Sequence, residues 1–337
     1  MSVYEACFKP LTNLSLLYVG GQTPLESNIT GQTSVYPSIW TLGGAFLNAA
    51  SQQLGISHRD LALAVGSGDL EIRGAYIRHP GENGPVVSRI IIPLYGWPQP
   101  AAPRAESSTM YFKVPRLQKP GAPHPALAVV RAEKGNARLE KFLDTYPVYE
   151  KRIGVKIDST AKSVGMPDRG TGNLYSYIGL RKLYITGLRG GREHPEYCIT
   201  VTDKQGALGK LEGRRGVIDL GGKHGIASYT IRKINNTPFT TIRNQPPPDK
   251  YIIAVSHIPL IKTGNGKLAL PNGQTIKELA GRLTILYGWD YLKKKMKTPI
   301  LTATPGSIIK TEQNNTQQTP LLPDEWYIKT LNTILTI

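Results

Sequence analysis

The sequence predicts an α+β protein built on two sheets, and three observations carry the prediction. Short segments of alternating or continuous apolar residues recur along the chain, one clear helical periodicity sits near the N-terminus, and the second half is strand-rich with basic, glycine-containing loops. Residues 4–8 form a first short strand, and residues 11–21 continue it as an extended, loop-prone segment. Ser38 is an N-cap; Ile39, Leu42, Phe46, Ala50 and Leu54 then recur at three- and four-residue intervals until Gly55 stops the helix. Residues 70–77 and 89–94 read as two strands joined by the Gly-Glu-Asn-Gly turn at 81–84. Prolines at 98, 100, 103, 115, 120, 123 and 125 make residues 97–125 a loop. A modest amphipathic pattern predicts a helix over 136–146.

In the second half, strands are expected at 152–157, 174–186, 196–202, 216–220, 228–234, 251–257 and 282–287. A short helix is expected at 275–279, and residues 311–325 read as a polar linker or loose hairpin tip.

At 337 residues and 36.9 kDa the chain has room for two domains, which we place at 1–150 and 151–337. Its 41 Lys and Arg against 24 Asp and Glu give a net charge of +17. Fixed positive potential of that size favours a polyanionic partner, and 17 tyrosines offer rings able to stack on bases. Cys7 and Cys198 stand far apart in the chain, which predicts reduced thiols in an intracellular protein. The six histidines (58, 79, 124, 194, 224 and 257) are scattered and form no zinc-spaced cluster. No apolar run approaches the roughly 18 residues of a membrane span, and no basic region precedes an apolar core at the N-terminus. The expectation is a cytoplasmic protein without metal, cofactor or membrane.

The densest basic region is 151–192, where nine cations face Asp158 and Asp168 for a net +7. Within it Arg152, Lys156, Ser159, Lys162, Arg169, Arg181, Arg189 and Arg192 supply the cations and hydroxyls that phosphate and ribose contacts use. An apolar tip at Val164-Gly165-Met166-Pro167 is able to wedge between bases. A solvated basic hairpin is the alternative. Gly221-Gly222-Lys223-His224 follows an apolar strand; glycines without Cβ let a phosphodiester approach the main chain, and Lys223 adds charge, although a tight turn would have the same composition. At the start of the first helix, Ser38 and Thr41 lie among free backbone N–H groups beside Tyr36, a candidate for stacking, or simply a cap beside a packing residue. Lys293, Lys294, Lys295 and Lys297 form a basic run able to contact RNA or an acidic neighbour, although a merely solvated charge run is the commoner case.

Four blocks in order carry a family resemblance. They are Pro37-Ser38…Thr41…Gly44-Ala45; Gly154…Ile157-Asp158…Gly172…Leu174-Tyr175; Gly221-Gly222, followed by Lys223 where a Glu is usual; and Gly288-Trp289-Asp290 with the lysine run and Pro305-Gly306-Ser307. Together they resemble the third-subunit family of the Cmr (type III-B) CRISPR effector complex, within the RAMP superfamily. The resemblance implies two ferredoxin-like (RRM-type) βαββαβ domains with basic loop and hairpin insertions. It further implies a non-catalytic scaffold that binds the 5′ handle of the CRISPR RNA. Such a scaffold caps the backbone filament between the large palm-domain signalling subunit and the first backbone subunit, and meets target RNA only indirectly. By the same resemblance the 151–192 hairpin is a thumb that kinks RNA, and Trp289 a buried anchor. The equivalent subunit of a type III-A or III-D complex shares these signatures. A repeat-processing endoribonuclease is the enzymatic relative. His58 is the one candidate base for it, and the Gly-Phe-Gly motif of that enzyme is missing.

Overall fold

The computed structural model describes residues 1–12, 31–32, 36–81, 84–99, 111–113, 126–155, 174–185, 195–220, 225–241, 250–264, 266–286, 289–290, 295–296, 298–312 and 333–336. These form a mixed α/β structure dominated by strands, with two α-helices among them.

The first strand, β1 (Ser2–Pro10), is buried on both faces. Tyr4, Ala6 and Phe8 enter one hydrophobic cluster, whereas Val3 and Cys7 enter another on the opposite side. The helix α1 (Ile39–Leu54) starts where Ser38 Oγ accepts from the Thr41 backbone N–H at 3.1 Å and stops at Gly55, whose φ of 68° suits a residue without Cβ. Its buried stripe of Ile39, Leu42, Phe46 and Ala50 packs on the β1 cluster. A second helix, α2 (His58–Ser67), was not expected. Its signals were nonetheless present: a Ser57 cap accepting from Asp60 N–H, Leu61 and Val65 one turn apart, and Gly68 at the stop.

Among the described residues the principal sheet has 13 strands. Its N-terminal half joins β2 (Leu70–Arg78), β3 (Arg89–Leu94), β4 (Ala126–Glu133) and β5 (Asn136–Leu143). The chain then leaves the sheet as β6 (Thr145–Val155) and β7 (Leu174–Ile185). It returns as β8 (Tyr197–Asp203), β9 (Arg215–Asp219) and β10 (Ile226–Ile234). Strands from both sides of residue 150 alternate, in the order β9-β10-β1-β8-β2-β3-β4-β5. The group β10-β1-β8-β2 is antiparallel throughout, with the α1–α2 crossover between β1 and β2 and β8 inserted between them: a split βαβ. A 3₁₀ turn at Gly209–Leu211 and strand β9 occupy the second crossover.

Beyond β5 the sheet continues through β11 (Tyr251–Ala254), β12 (Ile276–Ala280), β15 (Ile308–Thr311) and β16 (Thr333–Thr336), in the order β16-β11-β15-β12. Strands β13 (Leu283–Leu286) and β14 (Ile300–Ala303) pair in a small separate sheet.

Three expectations are corrected. Residues 136–143 are strand, because Ala137 and Leu139 alternate with exposed Asn136, Arg138 and Glu140, and the apolar pair packs on the second core cluster. Residues 276–280 are strand, drawn into register with β15 (Leu279 opposite Ile309) rather than helix. Cys7 and Cys198 are not free thiols. They lie opposite each other on β1 and β8 and form a buried disulfide with S–S 2.02 Å, since 191 residues of chain fold back to make their strands neighbours. The proline-rich segment contains a short ladder between Trp97–Gln99 and Tyr111–Lys113; the rest of it lies outside the described residues, as does most of 311–325.

The closing motif is built into this frame. Gly281 sits against Ser307, so close that a Cβ would overlap its side chain. Gly306 has φ +89°, and a Cβ there would come within 2.8 Å of the Pro93 carbonyl oxygen. Its N–H donates to Ala254 O at 2.7 Å, and Ser307 O accepts from Ala254 N–H at 2.8 Å. The Pro-Gly-Ser turn therefore fastens β15 to β11 and to the end of β3. Three residues beyond Ala254, the His257 ring stacks on the Trp40 ring of α1 with centroids 5.7 Å apart and planes 8° from parallel. His257 is buried, its Nδ1 lacks a hydrogen-bond partner among the described residues, and burial lowers its pKa to about 4.

Two outcomes are expected. Gly306→Ala should destabilise by at least about 1–2 kcal/mol, the cost of left-handed backbone for an L-residue. Gly44→Ala, in open space on α1, should stabilise by about 0.5–1 kcal/mol; denaturant titration of both separates backbone constraint from a general effect of added methyls. Second, His257 is neutral when folded and titrates near 6.5 when unfolded, so the unfolded chain takes up the proton first on acidification. Stability should therefore fall as pH drops from about 6.5 to about 4, by on the order of 3 kcal/mol in all. His257→Phe keeps the stack, and its stability in the same window should show that much less pH dependence than wild type.

Candidate nucleic-acid interface

Strands β6 and β7 form a long antiparallel ribbon, from the Thr145–Ile185 pair at its root to the Val155–Leu174 pair at its outer end. Twelve residues of β7 span about 40 Å. Gly31–Gln32 adds a short parallel strand beside Tyr177 and Ile178. The root is held by the core: Leu183 and Ile185 are buried in the same cluster as α1 and β1. Val148, Arg181 and Tyr184 are exposed just above it. Arg181 Nε stands 4.0 Å from Glu150 Oε2 with 58% of its side chain exposed, a loose pair that leaves the guanidinium facing solvent. Over residues 145–185 the sequence carries seven cations, three carboxylates and five tyrosines. The ribbon's sequence thus supplies cations and tyrosines, the residue types of single-strand binding, on an apolar root; of the tyrosines, Tyr184 is described and is exposed.

The structure places the expected site residues unevenly. Arg152 lies on β6, opposite Tyr177, and Arg181 on β7. Lys156, Ser159, Lys162, Met166 and Arg169, between the two strands, lie outside the described residues, as do Arg189 and Arg192. So do Gly221, Gly222, Lys223 and His224, which join β9 to β10; the described rim of that loop closes with Leu220 N–H donating to Gly225 O at 2.7 Å. Lys295 is on a two-residue strand that pairs with Trp289–Asp290, while Lys293, Lys294 and Lys297 are outside the described residues.

At the start of α1 the expected contacts are spoken for. Tyr36 is buried, its hydroxyl donates to Ala75 O, and burial pushes its pKa well up; its ring has no face open to a base. Ser38 is the cap, and its Oγ also lies 3.1 Å from Thr41 Oγ1. These three residues build the fold locally and do not join the ribbon.

Sequence reasoning missed Glu5, which is fully buried and accepts from Arg78 Nη2 at 2.9 Å, from Arg232 Nε and from the Tyr76 hydroxyl. Glu5, Cys7 and Cys198 are the one His/Cys/Asp/Glu cluster of metal-site dimensions among the described residues. It does not fit a cation, because both sulfurs are bonded to each other and two guanidiniums already neutralise the carboxylate. His58 is exposed at the first position of α2. None of the described helices is long and apolar enough to cross a membrane.

No protein-family model and no curated protein sequence matches the chain. Solved structures do. A chain of the type III-B Cmr-β complex bound to cognate target RNA aligns over 98% of this chain and 96% of its own, with TM-score 0.52 and 17% identity. The two share a fold. A second Cmr-β structure, bound to cognate target RNA and AMPPnP, gives TM-score 0.46 at 17% identity over 91% of this chain and 86% of its own. A chain of a Csm3–Csm4 subcomplex of the type III-A interference complex gives 0.40 at 12% identity over 98% of both.

Proposed function

We propose that this chain is a non-catalytic, RNA-binding scaffold subunit of a type III CRISPR effector complex. The observation that carries the reading is the cationic, tyrosine-rich ribbon rooted in a fold shared end to end with a Cmr-β chain. The sequence blocks support the finer reading: a type III-B subunit of the RAMP superfamily with ferredoxin-like domains, although the pairing of β1 with β8 and β10 rules out a domain division at residue 150. Such a subunit binds the 5′ handle of the CRISPR RNA in the cytoplasm. Its neighbours are the large palm-domain subunit and the first backbone subunit. The Cys7–Cys198 bond is compatible with that compartment because both sulfurs are shielded from thiol reductants. On this reading RNA is captured through its backbone by the ribbon and the 221–225 loop, and bases stack or are wedged at the ribbon tip.

Two measurements test it. Handle RNA should bind with an affinity whose salt dependence falls by about 0.7 log unit per log unit of salt in each of Lys156→Ala and Lys223→Ala, as for one lost phosphate contact on a single strand. Wild-type affinity and slope in both variants would remove the two loops from the interface. Repeat-containing RNA incubated with the protein should remain intact, with or without Mg²⁺. Cleavage that disappears in His58→Ala would instead support the endoribonuclease.

A further inference from the structure

A second cationic surface lies beside the root of the ribbon, and no expectation from the sequence included it. Arg89, Arg131 and Arg138 occupy directly opposed positions on β3, β4 and β5. Opposed residues of an antiparallel sheet share a face at about 5 Å spacing, so the three form a row about 10 Å long across the strands. All three are exposed. Two residues along, on the same face, Ile91 and Val129 are buried in the cluster beneath α1 and α2; the row lies where the helices stop covering the sheet. The register slips between Val129 and Val130, which face Lys141 and Leu139. That bulge makes Glu140 the extra residue and brings Lys141 onto the face of Arg138, despite their odd spacing. Glu140 takes the Arg89 guanidinium through both carboxylate oxygens, and Glu133 is the other acid on this face. Arg131 adds to the positive field on Glu140, but neither Arg131 nor Arg138 makes a close ion pair among the described residues.

The row is continuous with the ribbon. Strand β5 passes through the single residue Asp144 into β6, and Leu143 shares the core cluster with Leu183 and Ile185 at the root. None of the large exposed apolar side chains lies on β3, β4 or β5. Protein interfaces are depleted of charge at their centres and enriched in aromatic anchors, so this face suits a protein poorly. Arginines spaced along a strip suit phosphates.

Resting on the RNA-binding reading above, we propose that Arg131 and Arg138, supported by Arg89 and Lys141, hold the sugar–phosphate backbone of single-stranded RNA where it leaves the ribbon root. The contact is to phosphate alone and carries no base preference.

The test uses the full chain and anisotropy titrations over a salt series with single-stranded RNAs of about 8 and about 24 nucleotides, in two unrelated sequences. Two lost phosphate contacts should lower the salt slope of Arg131→Ala/Arg138→Ala by about 1.4, and its affinity for the long RNA about tenfold near physiological salt. The short RNA, accommodated by the ribbon, should bind as before. Arg131→Lys/Arg138→Lys should retain most of the affinity, which separates charge from folding. A wild-type slope and affinity for both long RNAs overturns the proposal. So does normal RNA binding combined with lost co-elution of a protein neighbour, which would make the row a docking surface for an acidic protein. Lys151→Ala/Arg152→Ala is the companion variant. If it binds both RNAs normally while the row variant does not, the ribbon reading fails and the row stands; the reverse result removes only the row.

Discussion

The carboxylate of Glu5 is the constraint around which the sheet is arranged. It is fully buried in the middle of β1, opposite Thr200 on β8 and Arg232 on β10. An isolated buried charge would cost several kcal/mol, and it persists because three donors from two other strands converge on it. Arg78 and Tyr76 come from β2, and Arg232 from β10. Arg78 then reaches Glu196 at 3.0 Å, and Arg232 donates to Gly84 O at 3.0 Å. A one-residue slip of β1 would turn Glu5 into the helix-side cluster of Phe8, Leu42 and Phe46, where no donor waits. The cluster thus fixes register as much as it adds stability. The Cys7–Cys198 bond one repeat along the same face holds β1 to β8 covalently.

A register fixed at β1 propagates outward through hydrogen-bonded neighbours. Strand β8 sets β2, β2 sets β3, and β3 and β4 set the bulged β5. The ribbon begins one residue after β5, so its direction is inherited from a sheet whose phase is decided some 140 residues earlier. This is how an apolar interior positions a cationic exterior: Leu143, Leu183 and Ile185 anchor the root while Arg181 stands in solvent on the same strand. The arginine row depends on the same chain of registers. Without the extra residue at Glu140, Lys141 and Arg138 would fall on opposite faces.

What was legible in the sequence was local. Ser38, the apolar stripe and Gly55 specify α1 within one residue, and uninterrupted apolar runs specify β3 and β11. The alternating β5 reads as helix because two of its three charged positions, Arg138 and Lys141, stand three apart, which mimics a helical stripe; the bulge that explains the spacing exists only when β4 is alongside. Ile276 to Ala280 has helical propensity, and pairing with β15 overrides it. Nothing in a short strand marks Glu5 as buried, and nothing in two distant cysteines marks them as neighbours. Both facts belong to topology. Tyr36 shows the opposite limit: a tyrosine beside a helix start has the composition of a stacking platform, and only its burial and its bond to Ala75 O reveal a core residue.

The closing motif separates two kinds of signal that sequence resemblance merges. Gly281, Gly306 and Ser307 are required by contact: the first leaves room for the third, and the second turns the chain against Pro93. Their presence would be demanded of any chain that folds this way, whatever it binds. The intervening lysines are different. Four cations in five residues raise repulsion, and among them only Lys295 lies within the described residues, on the short strand paired with Trp289–Asp290. The same distinction applies to the +17 charge as a whole. Arg78 and Arg232 are consumed by Glu5, whereas Arg131, Arg138 and Arg181 are presented outward on strands that the core holds still, and it is that outward subset which can meet a polyanion.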